Sequence, residues 1–172
     1  MKDKNLHTNR LEQLFGPISL HILKQNEPIR IVELKDGKGL CRTLAIVRFL
    51  DVRGKVLKEA YKTILGGELL GKTLIDFKID FDREYTGSIR VKLSEWLKND
   101  FKTNEDFGIA FLSNIWIKDK SLERSKFTFA EIIEIIPQDL KKDFEYKINP
   151  LQEINSKVSA LLKEADIDVI NV

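Results

Sequence analysis

The chain has little of what metal and redox chemistry usually requires. It holds one cysteine, Cys41, and two histidines, His7 and His21, among 172 residues. One cysteine excludes an internal disulfide and a zinc site built from cysteines. Two histidines without an HExxH spacing exclude the common zinc-hydrolase pattern. Long apolar runs are also missing. Nothing approaches the ~18 residues needed to span a bilayer, because Arg42, Arg48, Glu131 and Glu134 interrupt the longest stretches. The opening Met-Lys-Asp-Lys-Asn-Leu-His-Thr has no apolar signal-peptide core. These features predict a cytoplasmic protein that makes no membrane contact. An excess of one charge is missing too: 29 Lys+Arg stand against 27 Asp+Glu, a net +2. The basic residues form no stripe interleaved with aromatics, which argues against a nucleic-acid partner. There is no GxGxxG, no GxxxxGK[ST] and no GxSxG; Gly66-Gly67-Glu68-Leu69-Leu70-Gly71 fits none of them. These absences favour a cofactor-free, metal-free enzyme or a binding module.

What is present is ordinary globular material. Charged residues make up 33% and hydrophobic residues 42% of the chain, and a chain of this length buries roughly 70% of its unfolded surface. One domain over 1–172 is expected. The spacing predicts a helix over 6–15, stopped by Gly16-Pro17, and strands over 18–24, 29–34 and 40–49, with a turn at Asp36-Gly37-Lys38-Gly39. His21 falls on the wetter face of the first strand. Cys41 reads as a buried structural thiol. A helix over 55–65 ends at Gly66-Gly67, and Leu69–Lys72 opens a short helix or turn. Ile89, Val91, Leu93, Trp96, Leu97 and Phe101 read as one helix face. Residues 107–117 alternate cleanly as a strand, 118–126 form a polar connection, and 127–136 are a β-rich run ending at Pro137. Leu151, Ile154, Val158, Leu161 and Leu162 mark an amphipathic helix after Pro150. The pattern is α+β, an antiparallel sheet with helices segregated to one side or the ends.

The anomalies are charges embedded in strands. Arg30 alternates with Val32 and Leu34, while Glu33 shares the other face with Ile29 and Ile31. Arg42 falls on the face of Leu40, Leu44 and Ile46, and Glu134 sits within Ile132-Ile133-Glu134-Ile135-Ile136. An unpaired buried charge is costly, so each needs water, a partner or a ligand. Arg30 and Glu134 pairing with each other is one solution. The other is functional. Arg30 offers a planar fork for a ligand carboxylate, and Glu134 in an apolar wall is expected to titrate high and to transfer protons.

Four segments carry a family resemblance. They are His7-Thr8-Asn9-Arg10-Leu11-Glu12-Gln13-Leu14-Phe15-Gly16; Ile29-Arg30-Ile31-Val32-Glu33-Leu34 followed by Arg42-Thr43; Leu65-Gly66-Gly67-Glu68-Leu69-Leu70-Gly71; and Ile133-Glu134-Ile135-Ile136-Pro137. In this order over residues 7–137 the chain resembles the chorismate–pyruvate lyases (4-hydroxybenzoate synthases), in particular their small archaeal and bacterial relatives. The resemblance implies helical flaps over a buried ligand pocket in the sheet, and elimination of pyruvate from chorismate without metal or cofactor. It implies Arg30 as carboxylate receptor, Leu70 as a backbone contact, and Glu134 as acid/base carboxyl. It places Arg42 and Thr43 in a substrate-binding motif, and His7 where the family often has a ligand-lining methionine. The chain departs from the pattern at His7, at Leu69 (a proline in the family) and in the tighter Glu134–Pro137 spacing, which makes Glu131 a rival for the acid/base role. Residues 150–172 look like a C-terminal helical extension.

Three functions compete on this reading. The first is a chorismate lyase. The second is a non-catalytic binder of a small aromatic or cyclohexadienyl carboxylic acid. The third is an interaction protein whose C-terminal helix docks on a partner or on a second copy, giving a homo-oligomer.

Overall fold

Period-two alternation of apolar residues builds most of this molecule. The computed structural model describes residues 7–119, 125–144, 150–151 and 155–169. Helix α1 (His7–Phe15) comes first, then strands β1 (Ser19–Asn26), β2 (Ile29–Lys35) and β3 (Cys41–Phe49) as an antiparallel meander. Helices α2 (Lys55–Leu65) and α3 (Leu70–Asp76) follow, then β4 (Phe81–Lys92), α4 (Glu95–Phe101), β5 (Phe107–Asp119) and β6 (Ser125–Pro137). A 3-10 segment Gln138–Asp143, α5 (Ser156–Lys163) and the short β7 (Asp168–Val169) complete the described chain. Its elements form an α+β fold around one seven-stranded sheet in the order β1-β2-β3-β6-β5-β4-β7, with antiparallel pairing throughout.

The order records two jumps, from β3 to β4 and from β6 to β7. After β3 the chain crosses to the far side of the sheet through α2 and α3, and β4, β5 and β6 return until β6 pairs with β3. Local chemistry sets the stops. Gly16 takes φ +80 and its N–H closes on Glu12 O at 2.9 Å, ending α1 in a left-handed turn that glycine adopts without steric penalty. Asn155 caps α5 by accepting from the Val158 N–H at 2.9 Å.

Both faces of the sheet are covered. On one, Val32, Leu34, Ala45, Phe111 and Ile136 pack with Leu11 of α1, and Val47, Ile115 and Ile132 with Leu57 and Ile64 of α2 and Leu74 of α3. On the other, Ile31, Leu44, Ile46, Ile133 and Ile135 pack with Leu97 and Phe101 of α4 and Leu161 and Leu162 of α5. The expectation of helices on one side is therefore corrected, because α4 and α5 cover the face opposite α1–α3.

Two further expectations change. Residues 89–101 are not one helix. Ile89 and Val91 pair with Ala110 and Gly108 in β4, and helix begins only at Glu95. Their i, i+2 spacing is a strand repeat, and only Leu97 and Phe101 stand at helical i, i+4 spacing. Arg42 does not join Leu44 and Ile46. The β2–β3 register shifts beside it, and its guanidinium lies 3.8 Å above the Phe15 ring of α1. The helix expected after Pro150 is described from Ser156, and Ile154 lies outside the described residues. Among the described residues, no helix is long and apolar enough to cross a membrane.

Candidate ligand-binding site

Register brings the two anomalous charges to one face. Arg30 stands opposite Val47 and Val47 opposite Ile132; Val32 stands opposite Ala45 and Ala45 opposite Glu134. Arg30 and Glu134 thus share the face under α1–α3. Both line one cavity of about 60 Å³ together with Val32, Leu70, Arg83 and Ile132. That volume exceeds several-fold the roughly 10–15 Å³ that one water requires. Leu70 opens α3 at the cavity wall.

Arg30 is 2% exposed. It donates through Nη1 to the Ile64 carbonyl and through Nη2 to the Glu68 carbonyl at 2.9 Å. The end of α2 and the loop after it therefore fix the guanidinium plane. Nε has no hydrogen-bond partner among the described residues. Burial pulls the Arg30 pKa down to about 10, so it stays charged at neutral pH. A buried guanidinium held by neutral carbonyls, with Nε–H to spare, is suited to an anion.

Glu134, 4% exposed, does not pair with Arg30. Its Oε1 accepts from Nη2 of Arg83, whose Nε donates to Ser113 Oγ at 3.1 Å. His7 Nδ1 lies 3.9 Å from the same Oε1. His7 Nε2 and Thr43 Oγ1 share a hydrogen bond of 2.7 Å, and the ring stacks on Phe144 at 4.7 Å. Burial drives the His7 pKa down to about 4; the Glu134 charge opposes this and the Arg83 charge adds to it. His7 is therefore a neutral imidazole at pH 7. It reaches Glu134 from α1, and Thr43 supports it from behind; neither lines the cavity itself.

Arg42 and Glu131 stand elsewhere. Arg42 donates from Nε to Asp36 Oδ2 at 2.9 Å at the β2–β3 turn, away from the cavity lining. Glu131 alternates to the opposite face and pairs with Arg48 Nη2. It lines a wider cavity of about 290 Å³ beneath α5, with Leu112, Ile133, Val158 and Leu161. The larger cavity is the less suited to an organic acid, since the cation in its lining, Lys157, is exposed, whereas Arg30 is buried in the smaller one. Of the two glutamates, only Glu134 shares a cavity with Arg30.

Arg83 and Ser113 went unmarked in the sequence. The signal for Arg83 was the run Phe81, Arg83, Tyr85, a period-two stripe with a charge in the middle. On the α4 side a further acid is buried: Glu33 is pushed up to about 7 by burial and by a hydrogen bond and like charge from Asp100, with Lys35 Nζ at 3.4 Å opposing. Cys41 is buried, and burial together with the charges of Glu33 and Asp100 pushes its thiol up. No protein-family model and no curated protein sequence matches this chain.

Proposed function

We propose that the protein is a lyase that eliminates pyruvate from chorismate to leave 4-hydroxybenzoate, with the Arg30–Glu134 cavity as its site. The observation that carries this reading is the Nε of a fully buried Arg30, without a hydrogen-bond partner among the described residues, in the same cavity as a buried carboxyl group. In the reaction the ring C4–H is lost as a proton and its electron pair forms the C3=C4 bond. The C3–O bond breaks, and the departing enolpyruvate takes up a proton and ketonises. Arg30 would receive the ring carboxylate through Nε and one Nη. Leu70 would offer its backbone, and Glu134 would move the proton. Leaving a ring aromatic supplies the driving force. A ring carrying an enolpyruvyl arm needs more room than about 60 Å³, so α1 and α3 would act as flaps that yield on entry.

The test is pyruvate release, followed by coupled reduction to lactate. The wild type should release pyruvate and 4-hydroxybenzoate in equal amounts. Glu134→Gln should lower the rate about 100-fold or more. Pyruvate at no more than the spontaneous rate would end the lyase reading.

One observation favours a second reading. Glu134 is engaged by Arg83 rather than directed at a ligand. A site of that kind suits a non-catalytic binder of a small aromatic carboxylic acid. Saturable binding of 4-hydroxybenzoate without turnover of chorismate would select it.

A further inference from the structure

The elimination makes no use of Arg83, although it is the closest charged partner of Glu134. Arg30 enters the cavity from β2 and Arg83 from β4, with β3, β6 and β5 between them. Four strand spacings of about 4.8 Å separate their backbones by roughly 19 Å, yet both side chains line the same cavity. Glu134 stands on β6, between the two.

Charge counting gives this arrangement a consequence. Two guanidinium groups and one carboxylate leave the cavity one net positive charge, with His7 neutral beside them. A monocarboxylate at Arg30 brings that sum to zero. A dicarboxylate overshoots to one net negative charge, which a buried site disfavours strongly. The second carboxylate also competes with Glu134 for the same guanidinium. Arg83 can meet it without losing its anchor, because Nε stays with Ser113 while the Nη edge changes partner.

We propose that Arg83 is an exchangeable arm: it holds Glu134 in this structure and passes to the second carboxylate of a dianionic cyclic ligand, whereupon Glu134 takes up one proton. Arg83 thereby lets the cavity accept a dicarboxylate, which the resting charge balance would exclude. With the ligand seated, the protonated Glu134 gives its proton to the departing enolpyruvate, and the carboxylate so formed takes the C4 proton. Among the described residues, the charged or titratable groups that approach Glu134 are His7 from α1 and Arg83 from β4, with Arg30 lining the same cavity from β2. Of these His7 alone is an alternative proton acceptor. This inference rests on the ligand reading above and extends it to the ligand's charge.

The test is calorimetric titration at pH 7 in two buffers of different ionisation enthalpy. The probes are 4-hydroxybenzoate and the stable diacid 3-(carboxymethoxy)benzoate. The diacid should bind wild type with uptake of about one proton, and the monoacid with uptake of about none. Arg83→Met should weaken the diacid at least about 30-fold and the monoacid less than about 3-fold. Arg83→Lys, which keeps the charge and guards against a folding defect, should weaken the diacid about 10-fold. Glu134→Gln should abolish the proton uptake, and His7→Gln should leave it in place. Equal weakening of both acids by Arg83→Met, or diacid binding without proton uptake, would overturn the exchange while leaving the ligand reading intact. Wild type that binds neither acid would overturn both.

Discussion

Lowering the pH from 7 to 5 loads a proton onto His7 in the unfolded chain well before the folded one accepts it. Burial takes this imidazole from its ordinary 6.5 to about 4. The folded-state value is depressed, so the unfolded state binds more protons between those limits, and stability rises with pH across about 4 to 6.5. Integrating the linkage from pH 7 down to 5 gives a loss of about 2 kcal/mol from this one residue. Glu33 works in the opposite sense. Its carboxyl is raised to about 7, so the folded chain holds its proton longer and stability falls as pH rises from about 4.5 to 7. The two slopes overlap and oppose, so the wild-type pH profile alone does not isolate His7. The difference between wild type and His7→Gln does. Glutamine keeps a polar group for Thr43 and removes the titration. Urea unfolding followed by circular dichroism at pH 7 and pH 5 should show wild type losing about 2 kcal/mol more than His7→Gln over that interval. Losses that agree within about 0.5 kcal/mol would refute the placement of a neutral, buried imidazole beside Glu134.

Other parts of the fold make their own predictions. A Cβ added at Gly108 would lie 2.7 Å from the Ile136 carbonyl oxygen and 2.9 Å from Leu93 Cδ2. Gly108→Ala should therefore cost about 2–3 kcal/mol in urea unfolding, and a loss under about 0.5 kcal/mol would contradict the tight β5–β6 contact. Cys41, buried with its thiol pushed up, should resist iodoacetamide at pH 8 in the native protein and react fully in denaturant. Rapid native labelling would contradict that burial.

The sequence exposed the individual strands better than their relation to one another. β5 and the β1–β3 meander were legible because each is a short run rich in apolar and β-branched residues. β4 was not, because its register shifts between Tyr85 and Gly87. Phe81, Arg83 and Tyr85 lie on one face, whereas Ile89 and Val91 lie on the other, and the disrupted repeat resembles a helix. The register shift at the start of β3 hid the direction of Arg42 for the same reason. Arg30 and Glu134 each stood out as a charge in an apolar run, but alternation orders residues only within a strand. Their common face depends on the pairing of Val32 with Ala45 and of Ala45 with Glu134, which local pattern does not contain. The Arg83–Glu134 ion pair bridges 51 residues of sequence, and no spacing rule reaches that far.

The reading of this molecule turns on whether Arg30 receives a carboxylate in the cavity it shares with Glu134. Calorimetric titration of 4-hydroxybenzoate into wild type and Arg30→Met tests it most directly. One saturable site in the wild type, weakened about 100-fold or more in the variant, is the expected result. Binding that is unchanged by Arg30→Met, or absent from a folded wild type, would contradict it.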